Sequence, residues 1–353
     1  MVTHSLGIAP RYPRRYLCYT VANMMLIAAY FGSGAAAQAA DAFCSNTARY
    51  VHRACGFEVQ DDYWTVVAVC SNEPEAQERA ECLAAAKQQR TEGNEECGEQ
   101  LQSRLGACKS LGEQRYHPSF EPELFESDYT HPSLINRYFP LRIGNRWEYQ
   151  GGEETGTVEV LSDTKLVDEV RCLVARDLVY EEGLLKEATD DWFAQAKDGA
   201  VWYCGEETKS YEFFEGDEPQ NAELVSIDGS FKADRDGAEA GIIFPGRPVV
   251  GQTYREEFSL GNAEDAADVL STTYSYGEEA ELDRHVPRQL ARLLCKKDCV
   301  VTNNYSLLEP GNAERKYYAP GIGLFLELNP DSGEINQLVN CNFDQRCRSL
   351  PRP

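Results

Sequence analysis

The stretch Val170–Cys204, VRCLVARDLVYEEGLLKEATDDWFAQAKDGAVWYC, decides how most of this chain folds. Its β-branched and aromatic runs are cut by Glu181-Glu182-Gly183 and Lys197-Asp198-Gly199, both of which suit hairpin reversals. The pattern predicts strands over Val170–Tyr180, Asp191–Gln195 and Ala200–Cys204. The same texture extends on both sides, with further strands over Arg146–Gln150, Gly156–Leu161, Tyr211–Phe214, Glu223–Ile227, Thr253–Ser259, Val269–Tyr276, Leu293–Asn303, Arg315–Ala319 and Leu324–Asn329. Closely spaced strands with few helices between them form an antiparallel meander, not a βαβ fold. So many strands bury one face by curling into a curved sheet or an incomplete β-barrel.

Upstream the texture changes. From Asp41 to about Leu111, Ala, Glu, Gln and Arg recur with helical periodicity, predicting helices over 41–55, 61–71, 74–90 and 94–111. Ser71-Asn72-Glu73-Pro74 marks one boundary and Glu92-Gly93-Asn94 another. Cys44, Cys55, Cys70, Cys82, Cys97 and Cys108 are separated by steps of 11, 15, 12, 15 and 11. Eleven residues at 100° each is about three full turns, so Cys44 and Cys55 share one helix face, as do Cys97 and Cys108. They stand too far apart along the axis to bridge each other, and each must reach a neighbouring helix. The near-palindromic spacing points to helical hairpins clamped at both ends. Fifteen connectivities remain open. Thiolate metal binding is the weaker alternative, because zinc sites use C-x₂₋₄-C spacing. Downstream, Cys172 and Cys204 fall in strands that can be neighbours, and Cys295, Cys299, Cys341 and Cys347 are expected to staple the C-terminal tail to the sheet.

The fold class is therefore α+β. A disulfide-stapled helical module (40–112) is followed by a Pro- and aromatic-rich linker (113–137) and an antiparallel β domain (138–353).

Residues 1–39 form a signal peptide by pattern. Arg11, Arg14 and Arg15 precede a short apolar run from Leu17 to Phe31, and small residues then lead to Ala37-Gln38-Ala39. The apolar run falls short of the ~20 residues a bilayer span needs. Cys44 sits behind Asp-Ala-Phe, unlike a lipobox. Arg14-Arg15 loosely fits a twin-arginine leader, but disulfides favour the general route. Cleavage removes three Arg, all three Met and Cys18, leaving twelve Cys in an exported, periplasmic or secreted chain. The charge of the whole chain is −24, from 34 basic and 58 acidic residues, and cleavage takes it to −27. So acidic a chain is a poor partner for nucleic acid and for anionic membranes, and no membrane insertion is expected after cleavage.

Three motifs carry a resemblance. Tyr138-Phe139-Pro140-Leu141 with Gly144-Asn145-Arg146-Trp147-Glu148-Tyr149 looks like the opening of a class of uncharacterised bacterial exported β-rich proteins. Asp191-Trp192-Phe193-Ala194-Gln195 with Asp198-Gly199-Ala200-Val201-Trp202-Tyr203 is similar to their central hairpin, and Tyr317-Tyr318-Ala319-Pro320-Gly321-Ile322-Gly323 to their closing strand. The resemblance implies fold and export and assigns no catalytic residue.

Chemistry-bearing patterns are few. There is no G-x-S-x-G elbow, P-loop, H-E-x-x-H or dinucleotide fingerprint. His52 and His285 lack partners at ligand or triad spacing. No cofactor is expected, apart from a divalent metal (Ca or a transition metal) at His117, His131 and Asp128 of the acidic linker, with Glu121, Glu123 and Glu126 nearby. Asp234-Arg235-Asp236-Gly237 is a fragment of a calcium loop without its downstream ligands. Trp147, Trp192, Trp202, Tyr317 and Tyr318 are candidates to line a ligand cleft. The favoured function is an exported, soluble, non-catalytic binding protein for a small ligand or an envelope protein. The alternatives are an extracytoplasmic hydrolase pairing Asp191 with Glu182 or Asp236, and a metal-handling protein using the linker.

Overall fold

The computed structural model describes residues 42–353, which form one compact unit. The segment expected to be a signal peptide (1–39), with Cys18, lies outside the described residues.

Two helices replace the expected four: α1 (Phe43–Ser71, 29 residues) and α2 (Ala76–Leu111, 36 residues). The break at Asn72–Glu75 is where sequence places it. The breaks near Gly56 and Gly93 are absent; a Cβ on Gly56 would meet nothing, whereas Gly93 serves packing. A Cβ on Gly93 would stand 3.0 Å from Cγ2 of Val59, so its bare backbone lets α2 approach α1. That approach outweighs a propensity cost of about 1 kcal/mol. The six cysteines form a nested ladder across this hairpin: Cys44–Cys108, Cys55–Cys97 and Cys70–Cys82. Between the bridges the hydrophobic side chains that reach full burial are small: Ala48, Cys70, Ala86, Cys97, Ala107 and Cys108. The covalent ladder therefore does much of what a hydrophobic core would do.

The linker turns through Pro122–Leu124 and enters a 14-stranded antiparallel sheet. In chain order its strands are β1 (Arg146–Gly151), β2 (Glu154–Val167), β3 (Val170–Glu181), β4 (Leu184–Gln195), β5 (Val201–Glu212), β6 (Glu223–Ser226), β7 (Phe231–Lys232), β8 (Gly241–Phe244), β9 (Thr253–Arg255), β10 (Asp265–Tyr274), β11 (Cys299–Ser306), β12 (Ala313–Ala319), β13 (Gly323–Leu328) and β14 (Ile335–Cys341). The spatial order is β6-β5-β4-β3-β2-β1-β14-β13-β12-β11-β10-β9, with β7 and β8 also on β5. The first and last strands pair, Trp147 opposite Cys341.

The sheet is open but strongly curled. Its two ends meet at one bridge, where Glu239 N donates to Phe258 O at 2.9 Å. Beside that bridge a Cβ on Gly241 would lie 1.9 Å from the carbonyl oxygen of Glu256, so only glycine admits this approach of β8 to the end of β9. The Cys172–Cys204 bridge also reports curvature. It links β3 to β5 across β4, so the two cysteines do not sit on neighbouring strands as expected. Strands two places apart in a flat sheet stand about 9.5 Å apart, yet these Cα atoms are 6.6 Å apart. The bend coincides with a bulge at Trp192/Phe193 and with Gly205 at φ 134°.

Cys295–Cys299 and Cys341–Cys347 are short local bridges. The second ties the tail turn Gln345–Ser349 to β14, while the first clips the entry to β11 and does not reach the tail. Between β10 and β11, α3 (Ala280–Asp283) and α4 (Arg288–Leu294) bury Leu282, Leu290 and Leu294 in the main core with Tyr317, Phe325 and Leu328. Among the described residues, no helix is long and apolar enough to cross a membrane.

The helical hairpin is fastened to the sheet by a buried ion pair. Arg104 of α2 meets Glu264, just before β10, at 2.8 Å, with side chains 4% and 1% exposed. Gln100 Nε2 adds a hydrogen bond to Leu308 O at 2.9 Å.

Candidate functional site

Residues opposite one another on antiparallel strands share a face. The register sets Thr189 opposite Asp177 and Thr208, and Asp191 opposite Ala175 and Glu206. Glu187, two and four residues before Thr189 and Asp191, lies on that face as well. In the other half of the sheet, Lys316 lies opposite Thr302 and Glu327, Glu314 opposite Asn304, and Asp265 opposite Ser306. These two sets look at each other across the interior of the curl. Glu206 on β5 and Asp265 on β10 are nine places apart in the strand order, about 43 Å along a flat sheet, yet Asp265 raises the pKa of Glu206. Likewise Glu327 on β13 acts on Asp177 of β3, and Glu257, just after β9, feels Asp191 and Glu206.

The interior is therefore an acid-lined concavity with one basic residue, Lys316, among the groups just named. It is also graded along its length. Each wall strand runs from charged to apolar in the same direction: Glu187, Thr189, Asp191, then Phe193 on β4; Glu314, Lys316, then Tyr318 on β12; Asn304, Thr302, then Val300 on β11; Asp265, Ala267, then Val269 on β10. The apolar end packs as a floor of Phe244, Tyr254, Val269, Val300 and Tyr318. Tyr254, 5% exposed, lies opposite Ala267, on the acid-bearing face, and its hydroxyl has no hydrogen-bond partner. At the charged end an open pocket of about 330 Å³ is lined by Glu256, Asp265, Asn304, Glu309, Glu314 and Lys316, among others.

Confinement of like charges shows in the acid strengths. Burial, then Glu327 and Glu187, push Asp177 up to about 7. Burial also takes Glu256 to about 7, with Asp265 and Glu327 adding to it against the opposing Lys316 ammonium and the Asn304 amide. Glu257 is raised well above the carboxylate range by burial and by Asp265, Glu206, Glu256 and Asp191. Burial works against the charge of Lys316, but Glu327, Tyr318, Glu256 and Glu314 outweigh it and hold the ammonium charged.

At the centre of the wall, the hydroxyl of Tyr203 lies between Oδ1 of Asp191 and Oε2 of Glu206, the latter at 2.6 Å. A phenol has one proton to donate. One carboxyl must therefore keep its own proton and donate to the phenol, while the phenol donates to the other. Both carboxyls are raised, Asp191 by burial and then Glu206, Glu206 by burial and then Glu187 and Asp265. The bulge at Trp192/Phe193 brings this trio together, since it sets Tyr203 opposite Phe193 while Glu206 stays opposite Asp191.

The residues singled out from sequence are distributed differently. Trp147 donates its Nε1–H to Ile322 O at 2.7 Å and packs on Phe343. Trp192 is buried beneath the Lys165 ammonium, 4.7 Å from the ring centre. Trp202 packs between Phe120 and Phe125, and Tyr317 is buried with its hydroxyl donating to Leu282 O. These four rings hold the molecule together and do not line an open cleft; Tyr318 contributes to the interior floor. Glu182 sits in the β3–β4 turn, nine residues along β4 from Asp191, or about 30 Å. Asp236 is 94% exposed and faces Arg235. Neither pairs with Asp191, whose carboxyl partner is Glu206. In the linker, His117 pairs with Glu239 at 2.9 Å and His131 with Asp128 at 3.7 Å, so the two imidazoles face different partners. Thr130 hydrogen bonds hold Asp128 below the usual carboxylate range. Among the described residues no three His, Cys, Asp or Glu side chains gather closely enough to hold a metal ion.

Sequence reasoning passed over Tyr203, Glu206, Glu256, Asp265 and Lys316. A faint signal was present in Glu187-x-Thr189-x-Asp191 and Glu206-x-Thr208, polar residues repeating at the strand period. Outward neighbours such as Asp190 and Glu207 are also polar, which hides the inner face. No protein-family model, curated protein or solved structure matches the chain.

Proposed function

We propose that the chain is an exported, non-catalytic binding protein whose acid-lined interior takes an extended organic cation of the polyamine type. The carrying observation is the convergence of Asp177, Glu187, Asp191, Glu206, Glu256, Glu257 and Asp265 on one concave face with Lys316 as counter-charge. Burial first, and repulsion among neighbouring carboxylates second, suppress the acid strength of Asp177, Asp191, Glu206, Glu256, Glu257 and Asp265, and a multiply charged cation relieves that repulsion. The carboxylates are spread along the walls and do not converge on a point, which suits several ammonium groups on a chain better than one metal ion. The floor adds aromatic faces at Tyr254 and Tyr318 for methylene stems and cation–π contact, and the unpartnered Tyr254 hydroxyl supplies an acceptor. Export is supported by the leader pattern, by six disulfides, and by the resemblance to exported β-rich proteins.

Calorimetric titration with spermine at pH 8 tests this. Binding is expected for the parent protein, with a loss of tenfold or more in the Glu206→Gln/Glu256→Gln double variant. An equal affinity in both proteins, or no heat in either, overturns it.

A second reading rests on the Asp191–Tyr203–Glu206 trio, in which a protonated and an ionised carboxyl stand side by side as an acid–base pair for a hydrolase needs. Turnover of an envelope polymer that is lost in Asp191→Asn, with spermine binding retained, is the result that favours it.

A further inference from the structure

The exposed face of α1 carries aromatic residues every seventh position. Phe43, Tyr50, Phe57 and Trp64 are 39%, 67%, 77% and 60% exposed. A step of seven falls about 20° short of two turns, so Tyr50, Phe57 and Trp64 lie within a 40° stripe. The disulfides dictate that this stripe faces outward. Cys55 lies about 200° from Phe57 around the helix, and Cys55 is bonded to α2, so the aromatic side points away from the hairpin partner. The contacts fastening the hairpin to the sheet come from Gln100 and Arg104 of α2 and from Cys44 of α1, whose Sγ accepts from Arg255. Cys44 lies about 140° around the helix from Phe57, so they leave this side of α1 uncovered.

The charges along the stripe are divided by sign about Phe57. Arg53 precedes it and Asp61 follows it. Both are exposed. Arg53 and Asp61 are each four residues from Phe57 and within about 40° of the stripe's centre line. We infer that α1 is a homodimerisation surface, in which a second copy of this chain docks its own α1 antiparallel across a two-fold axis at Phe57. In that register Phe57 meets the partner's Phe57, Tyr50 meets the partner's Trp64, and Arg53 lies level with the partner's Asp61. The same side chains that repel a parallel arrangement neutralise each other in the antiparallel one, and an isologous contact of this kind closes on itself. The three rings bury on the order of 400 Å² per protomer from their exposed fractions. Arg53, Asp61, Ala54 and Ala68 add to it, giving a contact at the small end of specific interfaces and a dissociation constant in the micromolar range.

Sedimentation equilibrium of the oxidised chain between 1 and 200 μM, in low salt, reads this directly. The expected result is a concentration-dependent doubling of mass. Phe57→Asp abolishes it with an unchanged far-UV spectrum, because the helix is held by its disulfides. Arg53→Asp and Asp61→Arg each weaken association tenfold or more, and the Arg53→Asp/Asp61→Arg double variant restores it, which a merely hydrophobic contact does not require. A monomer throughout the range, a dimer indifferent to Phe57→Asp, or no rescue by the charge exchange overturns the inference. So does a monomer that instead floats with phosphatidylcholine vesicles, which assigns the stripe to a lipid surface. Spermine binding at the sheet interior is a separate readout and does not enter this test.

Discussion

The helical hairpin and the curled sheet are stabilised by opposite means. Between α1 and α2 the hydrophobic groups that reach full burial are alanines and half-cystines, and three disulfides with sequence separations of 64, 42 and 12 cross the seam. In the sheet, Tyr274, Tyr317, Phe244, Phe325 and several leucines are fully buried, and its three disulfides are accessory to a large core. The difference teaches where each region is free to carry function. A hairpin held by covalent rungs spends its large side chains on the surface, as Tyr50, Phe57 and Trp64 show. A sheet with ample apolar packing tolerates a costly row of carboxyls on part of its inner face.

The sharpest way to break this comparison is to remove the rungs. Replacing all six hairpin cysteines by Ser deletes three links worth about 2–4 kcal/mol each from a seam whose fully buried hydrophobic groups are alanines and half-cystines. Far-UV dichroism is expected to lose most of its helical signal while near-UV bands of the buried tyrosines persist. Retention of the helices would mean that the seam suffices alone.

Next in size is the joint between the regions. Arg104→Ala leaves Glu264 as an uncompensated buried charge, a loss of about 3–5 kcal/mol. Hydrogen exchange is expected to rise in α2 around Gln100–Ala107 and in the turn before β10, and not in β2–β4. Uniform loosening would show that the two regions do not behave as separable layers joined at that pair.

The smallest effect is a pH dependence that belongs to the sheet alone. Asp177 and Glu256 titrate near 7 in the folded protein, against 3.8 and 4.5 as ordinary values. Between roughly pH 4 and pH 7 the folded state holds more protons than the unfolded chain, so stability falls as pH rises through that window. Below it the contribution is complete, and above it is lost. Carboxyls held low, such as Asp344 beside Arg346, are already ionised from pH 5 upward and do not offset this. The melting temperature is expected to be several degrees higher at pH 5 than at pH 8. The Asp177→Asn/Glu256→Gln variant should flatten the difference, and an unaltered slope would place its origin elsewhere.

Much of the fold was legible because it rests on local patterns. Period-two alternation, the turns at Glu182-Gly183 and Asp198-Gly199, and the palindromic cysteine steps lead to an α+β chain with a clamped hairpin and a curled meander. The helix break expected at Gly93 is absent because glycine's low propensity is local, whereas Gly93's value lies in its contact with Val59, 34 residues away. Local pattern marks β4 only from Asp191 onward, since Lys186, Glu187 and Asp190 have poor strand propensity; the paired strands on either side override it. The candidate site was the least legible part. Asp191 stands opposite Glu206 through long-range strand register, Tyr203 reaches the pair only through a bulge, and Asp265 faces that wall only because the sheet curls until its ends touch. The aromatic candidates misled for a related reason, because sequence does not distinguish a ring that lines a cleft from one that seals a core.

The measurement that bears most directly on the account is calorimetric titration of the oxidised protein with spermine at pH 8 and at pH 5. Binding at pH 8 that weakens at least tenfold at pH 5, as the interior carboxyls take up protons, and that also falls with added salt, is the predicted result. Absence of binding at pH 8, or binding indifferent to pH across that interval, would contradict an acid-lined cation site inside the sheet.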